Sequence, residues 1–576
     1  MQTGSTTGWI TAGLLFLAGA ICLLAPEAFA RRAVELTLAP AVNVPLSRAF
    51  GLALVAAGIA LLTDRARVAP GRKALGCIAV AACLVLCLLS LSLRLSDWWI
   101  DDAGITFAYS RSLAEGLGLV AQPWLPPEEG YSSSAWMLLL ALAGRLGADI
   151  PLAAKTLGLG FAVAALLAAA WIVARETRSP LAVLVCGTGI AVTPMVVWAA
   201  SGQEHALQAL LLMGPVLAAH ATPGWRWLAA LILALLVLTR PEAPIIVIAV
   251  FLAAVWLTRR AGGPLVNAAD AAIALVPLAA FVALIGFRVA YFGDPFPNPY
   301  YAKATKAGLS GLLNPLSGGW FYTLWGLRDT GLFLLLPLLF LIRARRLPDW
   351  MVVAWAVLAG QAFFVVWAKG DWMAQYRFLM PVLPVLMLLA ATGLRGLAAR
   401  ARRVFAVLAV LVLGHLTLVQ TAIFGASPTT PLAAVTTVGD TFRTVADRLG
   451  IADPVLAHHD AGGIAYHRMI RLVDLGGLIN RTIAQNMDDQ AFLTAYLFDE
   501  VRPDFVFGGA NFAAASGFAE TEAFARAYVP LAFPDRPEMT THLSHIRRDR
   551  AAEAPGITLV RDTDGTIIAV RTAPEP

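Results

Sequence analysis

The sequence predicts a mainly α-helical, polytopic membrane protein: a helical bundle of about 13 spans followed by a C-terminal extracytoplasmic α/β domain. Three observations carry this. Of 576 residues, 59% are hydrophobic and 14% charged, whereas soluble domains carry roughly 25% charge. Apolar runs of about span length recur up to about residue 424. Hydrophobicity then drops, and residues 425–576 are numerous enough for one soluble domain.

Spans are expected near 8–25, 48–63, 75–93, 151–174, 180–199, 205–221, 226–239, 243–258, 270–292, 321–342, 350–368, 378–394 and 404–424. The run 226–239 is short for a crossing, since a span needs about 20 apolar residues. The run Trp9–Leu24 has little positive charge before it and a second span soon after, which favours a first transmembrane helix over a cleaved signal peptide. Basic residues set the orientation. Arg65, Arg67, Arg72 and Lys73; Arg175 and Arg178; Arg259 and Arg260; Arg343, Arg345 and Arg346; and Arg395, Arg400, Arg402 and Arg403 all fall on one side, the cytoplasmic one. This holds only if the short apolar segment Ala135–Gly147 does not cross, so it is expected as a juxtamembrane or re-entrant helix. Arg31 and Arg32 break the rule on an outer loop. The expected domains are 1–424, with an outer loop at 94–150, and 425–576. The N-terminus faces the cytoplasm, and the C-terminal domain lies outside the cytoplasmic membrane.

The net charge of +6 comes from these connector loops, so it does not point to nucleic acid. The five cysteines (Cys22, Cys77, Cys83, Cys87, Cys186) all lie in apolar runs, and residues 425–576 need no disulfide. In that region 441–450 predicts an amphipathic helix stopped by Gly450. Short buried strands are expected in 454–466, 471–477 and 503–509, and a hairpin with an Asp-Gly turn in 557–572.

The unusual polar residues converge on the outer side. In the loop from Ser96 to Trp136, Asp101 and Asp102 follow Trp98 and Trp99, and Glu128 and Glu129 precede Tyr131. Ionisable groups at a membrane edge suggest function. A carboxylate there suits general-base removal of a proton from a hydroxyl nucleophile. Neighbouring residues on a helix do not share a face, so the two acids divide their roles. Asp101 is assigned to catalysis and Asp102 to capping or orienting the helix 103–115, with the reverse assignment open. The loop GDPFPNPYYAK (293–303) contains three prolines that forbid regular helix. It ends on Lys303, a point charge suited to a lipid phosphate; for Lys306, snorkelling to headgroups is an equal explanation. KGDWMAQYR (369–377) offers Arg377 as a bidentate phosphate clamp, with an Asp371–Arg377 ion pair as the rival. SGQEHALQAL (201–210) brings Glu204 and His205, and TRPE (239–242) brings Arg240 and Glu242, for which mutual pairing is the simpler account. His458, His459, Asp460 and His467 match no standard zinc signature, and no metal site is assigned.

Together these blocks resemble a bacterial GT-C glycosyltransferase family, most nearly the mycobacterial arabinofuranosyltransferase AftB family. The matching positions in the first loop are Asp101, Asp102, Ile105, Thr106, Phe107, Gly116, Gly118, Glu129, Gly130, Tyr131 and Trp136. SGQE, RPE, GDPFPNPYYAK, GDWM…YRFLMPVLP, DAGGIAY (460–466) and LVDLGGL (472–478) follow in the family's order. Gly104, Ser112, Ser133, Ser134 and the stretch after Gly118 depart from the pattern, which bears on sugar and acceptor identity. The resemblance implies a GT-C membrane domain and a polyprenyl-phosphate-linked sugar donor. It also implies a cell-envelope polysaccharide acceptor, contact with membrane lipids and a reaction on the outer face. No bound cofactor is implied, although a divalent cation at the acids is compatible with some GT-C enzymes. On this basis Asp101 and Asp102 are expected to be catalytic and Lys303, Arg377 and Arg240 to hold the donor phosphate. Glu129, Tyr131, Glu204, His205, Asn298, Tyr301 and Asp371 are expected to contact sugar or acceptor. The rival functions are a lipid-linked-glycan transporter, which should carry repeat symmetry and midplane charges, and a non-catalytic envelope glycan-binding protein.

Overall fold

The computed structural model describes residues 3–27, 44–65, 68–303, 318–342, 347–508, 520–531, 544–553, 557–561 and 567–571. Arg31, Arg32, Arg67, Lys306, Arg343, Arg345, Arg346 and the side chain of Lys303 lie outside the described residues. The chain folds as two compact units. The first comprises Met1–Trp98, Ala154–Leu284 and Lys306–Thr429; the second comprises Trp99–Ala153, Ile285–Thr305 and Thr430–Pro576.

All thirteen segments expected to span are helical. Among the described residues, seven helices are long and apolar enough to cross a membrane: Val44–Thr63, Pro70–Leu95, Ile150–Thr177, Ala243–Arg260, Ala268–Phe292, Asp349–Trp367 and Ala399–Ala426. Two further segments qualify only as bent pairs. Pro180–Ile190 and Thr193–Ala200 meet at 57°, and Gly318–Asp329 and Leu332–Leu341 at 98°. At the second bend Gly331 takes φ 75°, a left-handed conformation that glycine adopts without penalty. Of the other four segments, the first lies in the helix Thr3–Leu24, 22 residues long, and His205–Ala221, Trp225–Thr239 and Met380–Gly396 are shorter apolar helices. Apolar composition therefore located each of these thirteen segments, and among the described residues seven helices, or nine counting the bent pairs, are long and apolar enough to cross. Pro180–Ile190 and Leu383–Gly393 are buried at every position and pack on each other at the centre of the first unit.

Within this unit Lys155 is drawn inside. Its Nζ donates to the carbonyl oxygens of Leu95, Ser96 and Trp98 at 2.6, 2.7 and 2.8 Å. A buried ammonium thus satisfies carbonyls left open where the helix from Pro70 ends, as basic groups do at helix C-termini. It fixes the point from which the loop beginning at Ser96 departs.

The second unit begins with α1 (Asp101–Ala114) and α2 (Ser134–Arg145). The latter, 12 residues long, is a separate short helix over the segment Ala135–Gly147. After Thr430 come α3 (Leu432–Arg448), β1 (Val455–His458), α4 (Gly462–His467), β2 (Arg471–Asp474), β3 (Phe505–Phe507), β4 (Tyr528–Pro530) and β5 (Ser544–Arg547). The strands form one sheet in the order β2-β1-β3-β5-β4. β2, β1 and β3 are parallel, with Leu456 opposite Leu472 and Phe505, and β5 runs antiparallel to β3 and β4. Ile557–Arg561 and Ile567–Arg571 pair as the expected antiparallel hairpin; its turn lies outside the described residues.

Three sequence expectations are corrected here. Within the proline-rich stretch 293–303, Asn298–Lys303 forms a short helix. The amphipathic helix starts at Leu432, just after Pro431, and not at 441; Gly450 with φ +66° follows its end. The segment 454–466 is a strand only as far as His458, after which the chain forms α4. Ile105, Tyr109, Tyr131 and Met137 from the first loop share one buried core with Phe442, Ile464, Ile470 and Phe505.

Candidate active site

The chain enters α1 along a short piece of β-like pairing. Asp101 N–H donates to the Thr430 carbonyl at 3.0 Å, Leu432 N–H donates to the Trp99 carbonyl at 2.8 Å, and Ile100 bridges Pro431. The helix cap is Ile100, with no side-chain cap bond, so neither aspartate caps the helix and the expectation that Asp102 does so is corrected. Both acids sit in the first turn, where the helix dipole favours negative charge.

Their environments differ. Asp101 is 3% exposed. Its Oδ2 accepts from Gly462 N–H at 2.9 Å and its Oδ1 from Gly463 N–H at 2.8 Å. Burial, then the like charge of Asp460, raises its carboxyl well above the usual carboxylate range, while the two glycine N–H groups pull it down. Asp102, turned away by one helical step of about 100°, is half-buried. Desolvation raises the Asp460 carboxyl, and the negative charge of Asp102 adds to that rise. The contact between α1 and α4 admits no side chain. A Cβ on Gly462 would land on the Asp101 carbonyl, and one on Gly104 would meet the Gly462 carbonyl carbon at 2.6 Å.

The Glu128–Tyr131 segment is also drawn inward. Glu129 forms a bidentate ion pair with Arg288, at 2.7 and 3.1 Å, with both side chains buried. Burial raises the Glu129 carboxyl and Arg288 offsets part of that rise. Glu128 accepts from the Arg481 backbone N–H at 2.6 Å, and Asn298 Nδ2 lies 3.4 Å from the same oxygen. Tyr131 is buried edge-on against Tyr109 at 5.0 Å. The Tyr109 hydroxyl donates to the Glu128 carbonyl at 2.5 Å and accepts from Gly130 N–H at 3.0 Å. Asn298 is buried, and its backbone N–H donates to the Glu129 carbonyl at 2.8 Å. Tyr301 donates to Asp294 at 2.6 Å.

Apart from Lys303, whose side chain lies outside the described residues, the first unit holds the remaining expected residues. Arg240 reaches Glu204 at 2.7 Å and Glu242 at 2.9 Å, and Gln208 donates to Glu242 at 2.9 Å. Arg377 is held bidentately by Asp371, at 2.6 and 2.9 Å, and its guanidinium lies 5.9 Å from the Trp198 ring and 5.1 Å from that of Phe378. Trp198 in turn packs 5.2 Å from His205, whose two ring nitrogens are both buried without a hydrogen-bond partner. The ion pairs weighed as the simpler account of TRPE and KGDWMAQYR are therefore present. Arg377 meets one carboxylate and Arg240 two, so neither arginine is a free cation.

Residues 434–551 match a family model described as a domain of unknown function, DUF8728. No curated protein matches the sequence. Among solved structures, the chain is similar to ArnT from Cupriavidus metallidurans in the apo state, with 14% identity and a TM-score of 0.53 over 84% of this chain and 99% of that one. The chain has the GT-C membrane fold. ArnT bound to undecaprenyl phosphate aligns at 13% identity and TM-score 0.49, over 76% of this chain and 94% of that one. The archaeal oligosaccharyltransferase AglB from Archaeoglobus fulgidus, in complex with an inhibitory peptide and a dolichol-phosphate, aligns at 12% and 0.45, over 86% and 75%.

Several residues that shape the loop from Ser96 to Trp136 escaped the sequence reading. Arg288, the partner of Glu129, lies near the end of the helix Ala268–Phe292. A charge inside an apolar run was the available signal, because such residues seek a buried partner. Gly462 and Gly463 lay within a quoted motif, but nothing local ties them to Asp101. Asp294 lay within the block GDPFPNPYYAK, but nothing in that block singled it out, and Arg481 carried no sequence signal that set it apart from other polar residues.

Proposed function

We propose that the protein is a membrane glycosyltransferase that moves a sugar, arabinofuranose, from a polyprenyl-phosphate donor to a cell-envelope glycan acceptor. The reaction takes place on the outer face of the cytoplasmic membrane. The observation that carries the reading is the division between the two aspartates: both oxygens of Asp101 are committed to glycine N–H groups, and Asp102 is the more accessible acid of the pair. Asp102 is the general base. It takes the proton of an acceptor hydroxyl as that oxygen bonds to the anomeric carbon and the bond from that carbon to the phosphate oxygen breaks. Polyprenyl phosphate leaves with the electron pair, its charge stabilised by cations.

For the phosphate the sequence motifs offer Lys303 and Arg377, the latter paired with Asp371. Arg240, outnumbered by Glu204 and Glu242, orients those acids. Glu204, His205, Tyr301 and Asp371 contact or orient sugar, whereas the buried Glu129, Tyr131 and Asn298 shape the loop that presents Asp102. The arabinofuranosyl donor rests on the resemblance of the outer-loop blocks to the AftB family, and the shared GT-C fold supports the reaction class. The test is transfer from a synthetic polyprenyl-phosphoryl arabinofuranose by the purified protein in liposomes. Asp102→Asn should lower the rate by about 10²–10⁴-fold, the usual contribution of a general base, with an unchanged melting temperature. Transfer by this variant at the wild-type rate would sink the assignment.

A further inference from the structure

We propose that the second unit binds a divalent cation of the zinc class at the carboxyl end of β1, with His458, His459 and Asp460 as ligands. Three consecutive residues of an extended strand could not share a ligand, because successive side chains point to opposite faces. The backbone does not stay extended. β1 ends at His458 and α4 begins at Gly462. In the intervening turn one ligand atom from each of the three residues comes within 4.8 Å of the others.

The details of the cluster suit a metal. His458 is 2% exposed, and its Nδ1 lies 2.7 Å from the Phe507 carbonyl oxygen. A carbonyl only accepts, so Nδ1 carries the proton and Nε2 presents its lone pair. A backbone carbonyl fixing the tautomer in this way is the usual support of a metal-bound imidazole. His459 Nε2 lies 3.4 Å from Asp460 Oδ2. A tetrahedral zinc with bonds of about 2.0–2.1 Å sets its ligand atoms about 3.3 Å apart, so this pair already has the required spacing. Two imidazoles and one carboxylate leave a fourth position open, as in catalytic zinc sites. Asp474, in register beside His458, does not compete, since its oxygens accept from Gly476 and Ile479 N–H groups. Asp460 stands two residues before Gly462, whose N–H holds Asp101. The cation would therefore lie beside the first turn of α1. The site stands on its own geometry and does not depend on the transferase reading.

The experiment uses the full-length protein in detergent, stripped with a chelator and returned to metal-free buffer. Zinc binding is measured by calorimetry with metal analysis, and cobalt binding by visible absorption. The wild type should take up one zinc per chain, and cobalt should give the intense visible bands of a four-coordinate site. His459→Ala and Asp460→Asn, both at partly exposed positions, should each weaken zinc binding by about 100-fold or more and abolish the cobalt spectrum. His467→Ala, in α4 but outside the trio, should bind as the wild type does. No stoichiometric zinc in the wild type, or unchanged affinity in both His459→Ala and Asp460→Asn, overturns the proposal. The visible bands report coordination directly, so the result does not depend on transfer activity.

Discussion

Replacing Asp101 with asparagine tests whether that residue anchors α1. The carboxylate accepts two N–H groups, at 2.9 and 2.8 Å, in a site that excludes water. Asparagine keeps one acceptor oxygen and turns its amide nitrogen toward the other glycine N–H. One charge-assisted hydrogen bond is lost, about 1.5–3 kcal/mol, and a buried donor is stranded, about 1–3 kcal/mol. These two losses overlap, because they concern the same N–H. The neutral amide also removes the charge that burial and Asp460 oppose, which returns part of the loss. The net cost is then about 2 kcal/mol, or about 4–8 °C in Tm for a folding unit of some 150–250 residues. Thermal unfolding in detergent, followed by tryptophan fluorescence, measures it. Asp102→Asn makes the same chemical change one residue along, at a half-buried position with no such bonds, and should stay within about 0.5 kcal/mol of wild type. If Asp101→Asn melts with the wild type while Asp102→Asn melts lower, the roles of anchor and base are reversed.

Two further predictions address the buried charges. Arg288→Met should strand the Glu129 carboxylate and cost about 3–5 kcal/mol, whereas the double variant Glu129→Gln/Arg288→Met should recover much of that loss, as replaced buried pairs do; a double variant as unstable as the single one would contradict the pairing. For Asp474, burial raises the carboxyl to about 7, against the pull of the Ile479, Gly476 and Leu478 backbone N–H groups. Unfolding returns it to about 3.8. Between these values the folded state binds the extra proton, so its stabilising contribution is complete below about pH 4 and is lost as pH rises through about 7, by at most about 4 kcal/mol. Unfolding free energy of the wild type minus that of Asp474→Asn, measured from pH 4 to 8 in chelator, should fall across that window; a flat difference would refute it.

The sequence disclosed the helices better than it disclosed their partners. An apolar run of 15–20 residues is a local property, and every expected span proved helical, the shorter ones included. Whether a helix is long enough to cross depends on where breaks such as the bend at Gly331 fall, and composition does not mark these. The two acids stood out for a local reason too, as charges between apolar segments. Their division of labour did not, because a carboxylate's role is set by what it touches. For Asp101 that is a pair of glycine N–H groups 361 and 362 positions away. Lys155 and Arg288 show the same limit from the other side: each was visible as a charge within an apolar run, but its partners lay in other segments.

The motifs DDAG and DAGG, separate blocks when read along the chain, meet in a single contact. The first-turn carboxylate of α1 sits on the first N–H groups of α4, and the meeting is close enough that Gly104 and Gly462 must lack side chains. This explains why Trp99–Ala153 belongs to the same compact unit as the C-terminal residues. Ile105, Tyr109, Tyr131 and Met137 are buried in the core that also holds Phe442 and Phe505. Each large apolar side chain so buried contributes about 1.5–3 kcal/mol. Residues 425–576 without the outer loop would expose that face of their core and lose the carboxylate that caps α4. The aspartates and the C-terminal sheet are therefore one structural element, and the position of Asp102 is set by residues that follow it by more than three hundred positions.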